Sequence, residues 1–291
     1  MTYNEDNTVQ QMALDTAQRQ GWAYHSKDTL GREFTEVVVE RSLREALIRL
    51  NPSIDEEHGR ADEVIYRLRT IWLGSHSTGL VTANQEFEKW LKNDKSMPFG
   101  PNNEHVTIKL VDYDDPSNNE FIVTKEWTFI QAGVEKRFDM VYLVNGIPVV
   151  IGEAKTPVRA AVSWVDGASQ VQDDYEINVS QMFVPNVLSY ASEGKAFRYG
   201  SVRMPIEKWG PWREDEGHSL SDVRRSMKSM LRPEIVIDIL RNFTLFATDK
   251  KHQAIKMICR FQQYDGANRI VERVVRGQAK KGLIWHFQGS G

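Results

Sequence analysis

The segment from Phe138 to Lys155, FDMVYLVNGIPVVIGEAK, sets two apolar runs on either side of Asn145-Gly146. That pairing is a strong hairpin signal, and runs this apolar belong in buried strands. Yet Asp139 enters one strand, and Glu153 and Lys155 leave the other. The pairing register decides whether these charges meet. A two-residue Asn145-Gly146 loop pairs Asp139 with Gly152 and turns Glu153 to the opposite face. A three-residue loop, Asn145-Gly146-Ile147, pairs Asp139 with Glu153, and Pro148 disfavours the tighter loop. A convergent site therefore requires an odd loop or a bulge.

Glu153 and Lys155, two apart on one strand, project from the same face. Beside Asp139 they would gather two carboxylates and one ammonium at a sheet edge. Bare carboxylates in contact repel, and a divalent cation removes that conflict. Mg²⁺ takes oxygen ligands and keeps open positions for water and a phosphate, and the Ala154 carbonyl is a third protein oxygen. Lys155 can then hold or help deprotonate a water aimed at phosphorus, which is phosphodiester hydrolysis. The alternative is a strand-end salt-bridge cluster that is only structural, in a non-catalytic docking module.

The rest of the chain frames this hairpin. Helices are expected over Thr8–Gln20, Glu33–Leu50, Ala61–Leu73 and Asn84–Asn93, with Asn84 as an N-cap. The period then changes to two, giving strands at 106–113, 121–130, 138–144 and 147–155. A helix over Ser163–Tyr175 and strands at 182–191 and 195–202 follow. Further helices are expected at Ser221–Leu231, Pro233–Asn242, Ile255–Phe261 and Asn268–Arg276, with a last strand at 282–287. The pattern is an α/β mixed sheet with helices packed on it. With 41% apolar residues, eight Trp and twelve Phe among 291 residues, a core can be filled.

A net charge of −3 excludes DNA binding by global charge, so any nucleic-acid contact needs a local patch or partner subunits. Arg224-Arg225-Lys228-Arg232 and Arg269-Arg273-Arg276-Lys280-Lys281 are the basic clusters, and each also reads as a solvated helix face. Trp209 and Trp212 suit either base stacking or packing. No HExxH or His/Cys pairing suggests zinc. No apolar run is long enough for a membrane span, there is no charged-then-apolar leader, and the single Cys259 suits a reducing cytoplasm.

Asp139, then IGEAK, then a helix carrying Gln170, Gln172 and Tyr175 resembles the PD-(D/E)xK nuclease pattern with its Gln-Tyr extension. The stretches GREFTEVV, REALIRLNP, DDPSNNEF, MFVPNVLSYASEGKAFRYGS and GPWRE resemble the amino-terminal part of the restriction (motor) subunit of type I restriction–modification enzymes. The resemblance implies an endonuclease domain over 1–244, with Asp139 and Glu153 as ligands of Mg²⁺ or Mn²⁺ and Lys155 as the catalytic lysine. Gln170, Gln172 and Tyr175 would position DNA or the site. The family's Gln and Tyr usually stand four apart, whereas these glutamines stand five and three before Tyr175. The family's acidic residue from the first helix has no counterpart in Val9-Gln10-Gln11, which leaves Glu36 and Glu40 as candidates.

GLIWHFQGSG resembles the strand and phosphate loop of a superfamily 2 helicase, cut before its Lys and Ser/Thr. The resemblance implies that 245–291 begin a RecA-like motor lobe, with Gln263 near adenine and Gly289, Ser290 and Gly291 in the incomplete phosphate loop. ATP hydrolysis is then expected only of a full-length subunit. The implied partners are double-stranded DNA and the methyltransferase and specificity subunits.

Overall fold

Asn145 and Gly146 take φ of 51° and 77°, the left-handed pair that closes a two-residue hairpin. A side chain at Gly146 would lie 2.5 Å from the Val39 carbonyl oxygen, so glycine is required there twice over. A computed structural model describes residues 5–155, 162–213, 218–250, 252–277 and 281–283, with side chains from residue 9.

The chain runs α1 (Glu5–Gln18), β1 (Ala23–Tyr24), α2 (Glu40–Leu50), a single turn α3 (Pro52–Asp55), α4 (Gly59–Thr78) and α5 (Leu80–Leu91). A small ladder of β2 (Ser96–Met97) and β3 (Val106–Thr107) leads to the meander β4 (Phe121–Gln131), β5 (Val134–Val144) and β6 (Ile147–Ala154). Next come α6 (Trp164–Ser169), a π-helical turn over Gln170–Tyr175, α7 (Glu176–Asn178), β7 (Leu188–Ser192) and β8 (Phe197–Gly200). Last are α8 (Leu220–Met230), α9 (Pro233–Asn242), the hairpin β9 (Thr244–Thr248) and β10 (Ala254–Ile258), and α10 (Phe261–Arg276).

Six strands form one mixed sheet in the order β1-β4-β5-β6-β7-β8, flanked by helices. The β1–β4 and β6–β7 pairs are parallel and the others antiparallel. Every residue of β6 is buried, as the unbroken apolar run IPVVI requires of a central strand covered on both faces. The hairpin starts in the even register, Val144↔Ile147 and Leu143↔Pro148, then shifts by one residue to Tyr142↔Val150 and Met140↔Gly152. The loop is thus the two-residue one. A bulge between Pro148 and Val150 supplies the correction that convergence of Asp139 and Glu153 requires.

Several expected elements differ. The helix expected from Glu33 starts at Glu40, because Arg32 pins the preceding loop. Its guanidinium lies 3.5 Å from the Trp127 ring centre and donates to the carbonyls of Glu33, Glu36 and Thr128. The strand expected at 106–113 is confined to Val106–Thr107. Beyond it, side-chain amides replace a ladder: Asn51 Oδ1 accepts from Lys109 N–H at 2.7 Å, and Asn93 Oδ1 from Leu110 N–H at 3.0 Å.

Asn84 is no N-cap. It lies inside α5, buried, where its amide donates to the carbonyls of Phe183, Val184 and Asn186. Met182 and Phe183 belong to a 3₁₀ turn, so β7 begins only at Leu188. Ile255–Ile258 is strand rather than helix. Residues 284–287 of the last expected strand, Lys280, and the Gly289-Ser290-Gly291 loop lie outside the described residues. Among the described residues no helix is long and apolar enough to cross a membrane.

Candidate functional site

The sheet comes apart around Asp139. On the β6 side the last pair is Met140↔Gly152, and one step further the Ala154 N–H donates not to a strand carbonyl but to Asp139 Oδ2, at 2.8 Å. On the β4 side Lys125↔Met140 and Trp127↔Phe138 are paired, but Glu126 between them takes φ of 55°. A left-handed non-glycine residue inside a strand is strained. The Asp139 carbonyl accepts instead from Gln10 Nε2 of α1, at 2.9 Å. A local opening of two ladders therefore leaves the Asp139 carboxylate at the mouth of a cleft.

That cleft has a volume of ≈ 160 Å³ and is lined by Gln10, Arg137, Asp139, Glu153, Ala154, Lys155, Gln170 and Tyr175. Glu153 is 2% exposed. Its Oε1 lies 2.7 Å from Lys155 Nζ, while its buried Oε2 makes no aligned hydrogen bond. Burial, and then the charge of Asp139, push the Glu153 carboxyl up to about 8, against the pull of Lys155 and the Tyr175 hydroxyl. The repulsion expected of two adjacent carboxylates is thus present. α6 can lie close over β6 because it presents Gly167, where a Cβ would sit 3.4 Å from Glu153 Cγ.

Gln170 and Tyr175 meet because the helix is π-wound between them. A π turn closes i→i+5, so residues five apart come to the same face and the unusual spacing is absorbed by one inserted residue. Gln170 Oε1 accepts from Lys155 Nζ, and its Nε2 donates to the Tyr175 hydroxyl. That hydroxyl donates to the Arg137 carbonyl at 3.1 Å. Gln172 faces elsewhere and donates to the Met204 carbonyl at 3.1 Å, which removes it from the site.

Glu36 and Glu40 are also elsewhere. Glu36 accepts from the Glu33 N–H at 2.8 Å, and Glu40 pairs with Arg69. Gln263 Oε1 accepts from the Arg260 N–H at 2.8 Å at the start of α10. Trp209 and Trp212 are buried, the latter against Tyr199, Phe261 and Tyr264, so both serve packing. Four arginines of the basic clusters sit beside acids of their own segment: Arg225–Asp222, Arg232–Glu234, Arg269–Asp265 and Arg276–Glu272. They read as solvated helix faces.

Sequence reasoning placed neither Arg137 nor, on the first helix, Gln10 in the cleft. The signal for Gln10 was present, because Val9, Met12 and Ala13 mark the buried stripe of α1 and Gln10 is buried on it.

Among the described residues no group of three or more His, Cys, Asp or Glu side chains surrounds one point. A cation here would rest on two carboxylates and neutral oxygens, as Mg²⁺ commonly does. The unbonded Glu153 Oε2 and the raised Glu153 carboxyl fit such a charge. Relief of the same repulsion without metal predicts a sign: in EDTA, Asp139→Asn should hold or raise thermal stability, by no more than about 1 kcal/mol. The Asn keeps an acceptor for the Ala154 N–H. A marked drop in melting temperature would show that the aspartate is a purely structural anchor.

A family model described as type I restriction enzyme R protein N terminus matches residues 2–208. Over 98% of its length the chain is 28% identical to the type I restriction enzyme HindI endonuclease subunit of Haemophilus influenzae. It is 30% identical over 63% of its length to the putative type I restriction enzyme MjaVIIP endonuclease subunit of Methanocaldococcus jannaschii, and 22% identical over 99% to that organism's putative MjaIXP endonuclease subunit. These alignments cover 29%, 18% and 30% of the relatives, so the chain spans less than a third of their length. The chain belongs to the family of type I restriction enzyme R protein N termini.

Proposed function

We propose that this chain is the endonuclease domain of a type I restriction subunit, with a PD-(D/E)xK site that cleaves double-stranded DNA in the presence of Mg²⁺ or Mn²⁺. The carrying observation is the meeting of Asp139, Glu153 and Lys155 in one cleft at the opened edge of the sheet. A bound divalent cation supplies charge at a phosphate oxygen and makes water acidic near neutral pH. Asp139, Glu153 through Oε2 and the Ala154 carbonyl would hold it. Lys155 Nζ, fixed between Glu153 Oε1 and Gln170 Oε1, carries the positive charge and the protons that orient the attacking water. Tyr175, locked to the Arg137 carbonyl and Gln170, sets the position of that glutamine.

A chain with net charge −3 relies on partners to hold DNA, which fits a complex with methyltransferase and specificity subunits. The remainder of the subunit would drive translocation with ATP. The test is cleavage of supercoiled plasmid by the assembled complex in Mg²⁺ and in EDTA. Wild type should cut only with metal, and Asp139→Asn and Glu153→Gln should not cut. Wild-type rates for both variants would replace this reading with a docking module whose acid–lysine cluster is structural.

A further inference from the structure

We propose that Arg137 and Lys27 form a phosphate seat at the mouth of the cleft, which takes a DNA backbone phosphate flanking the one to be cut. The inference rests on the nuclease reading above and names the residues that would hold its substrate. Arg137 lines the cleft and stands two residues before Asp139 on β5, so both side chains leave the same face of the strand. About 7 Å of strand separates them, which sets the guanidinium beside the group that Asp139 meets rather than on it. The Arg137 side chain is 59% exposed, and among the described residues its guanidinium makes no hydrogen bond. The acid nearest to it is Glu126, with Nη1 4.0 Å from Oε1.

Glu126 serves two cations at once. Lys27, in the turn after β1, places Nζ 3.8 Å from Glu126 Oε2. Both distances exceed hydrogen-bonding range, so one half-buried carboxylate holds the two cations by charge alone. Ion pairs this loose and this exposed contribute little to stability. Glu126 is also the residue that breaks the ladder opposite Asp139, with its left-handed φ of 55°. Strain of this kind gathers at functional positions. The other cation of the cleft, Lys155, is already fixed by Glu153 Oε1 and Gln170 Oε1, which leaves Arg137 with its donors untaken. Arginine presents those donors in a planar fork that matches two oxygens of a phosphate. A phosphodiester carries one negative charge, as Glu126 does, and can take its place between the two cations. Such a seat gives a chain of net charge −3 a local hold on DNA without a basic surface.

Plasmid cleavage by the assembled complex, with ATP hydrolysis as the control on assembly, separates this seat from a structural ion cluster. The rate would be followed against salt and against Mg²⁺ for wild type, Arg137→Ala, Lys27→Ala, Glu126→Gln and Asp139→Asn. Arg137→Ala leaves the backbone carbonyl that Tyr175 uses. It should cut about 10-fold more slowly, with a logarithmic salt slope shallower by about one and an unchanged Mg²⁺ requirement. Lys27→Ala should shift rate and slope the same way by less. Glu126→Gln frees both cations and should cut faster than wild type. A wild-type rate and slope in either alanine variant overturns the proposal. So does slower cutting by Glu126→Gln, or a raised Mg²⁺ requirement shared by Arg137→Ala and Glu126→Gln, because the three residues would then brace the break in the sheet. Wild-type cutting by Asp139→Asn is a different result: it removes the nuclease reading itself, and the seat with it.

Discussion

Lys155→Ala is expected to reduce DNA cleavage by about 10²- to 10⁴-fold, the range for loss of a positioned proton-transfer group, while Mn²⁺ binding and ATP-driven translocation by the complete enzyme persist. The side chain is 16% exposed and Nζ bridges Glu153 Oε1 and Gln170 Oε1, so its loss removes charge and protons from one defined point. The carboxylates and the Ala154 carbonyl remain, and with them the oxygens proposed to hold the cation. Without metal the same substitution should be neutral or destabilising, since it takes from the buried Glu153 the ammonium it pairs with. Asp139→Asn differs in sign, because it removes the repulsion. Nicking assays in Mg²⁺ and thermal melts in EDTA measure both halves. Cutting at the wild-type rate by Lys155→Ala, with a clear loss of stability for either substitution, would mean that the cluster only holds the sheet edge together.

The geometry of this cleft was legible in the sequence where it is carried by strand ends, and much less so where it depends on irregular backbone. Alternation placed Glu153 and Lys155 on one face, and their side chains touch. Register arithmetic required an odd loop or a bulge, and the bulge lies between Pro148 and Val150. The π turn that aligns Gln170 with Tyr175 left only its five-residue spacing in the sequence, and local propensity does not say how the backbone absorbs the extra residue. The apolar stripe of α1 marks Gln10 as buried, but its place beside Asp139 follows only from packing across more than a hundred residues of chain. Asn84 illustrates the reverse error. A residue type that favours caps is mid-helix here because three carbonyls of a distant loop need its amide. At 255–258 the alternation itself misleads: Ile255 and Met257 are exposed, whereas Lys256 points inward.

That inverted strand carries the largest stability effect expected outside the cleft. Lys256 of β10 is fully buried, with Nζ 2.9 Å from Glu88 Oε2 of α5 and 2.8 Å from the Asn186 carbonyl. The Glu88 contact is a charge contact without an aligned hydrogen bond on Oε2. Glu88 Oε1 is held by Lys92 Nζ at 2.8 Å and by the Thr244 hydroxyl at 2.6 Å. Burial lowers the Lys256 pKa and the Glu88 charge opposes that shift. Burial also opposes ionisation of Glu88, but Lys256 and Lys92 overcome it and hold its carboxyl below the usual range. Removing either member takes from a buried charge its one fully buried counter-charge, although Glu88 keeps Lys92. Lys256→Met should therefore destabilise the fold by about 3–5 kcal/mol, although Met fills much of the same volume. The double variant Lys256→Met with Glu88→Leu should recover most of that loss, because no buried charge is then left alone. Denaturant melts of the two single variants and the double variant form the required cycle. Additive losses would show that packing, and not the stranded charge, sets the cost. A β9–β10 hairpin that still melted with the sheet in Lys256→Met would show that its other ties, from Tyr199 to the Cys259 carbonyl at 2.6 Å, Ser201 to the Lys256 carbonyl at 2.8 Å and Lys92 to the Thr244 carbonyl at 2.9 Å, suffice to hold it.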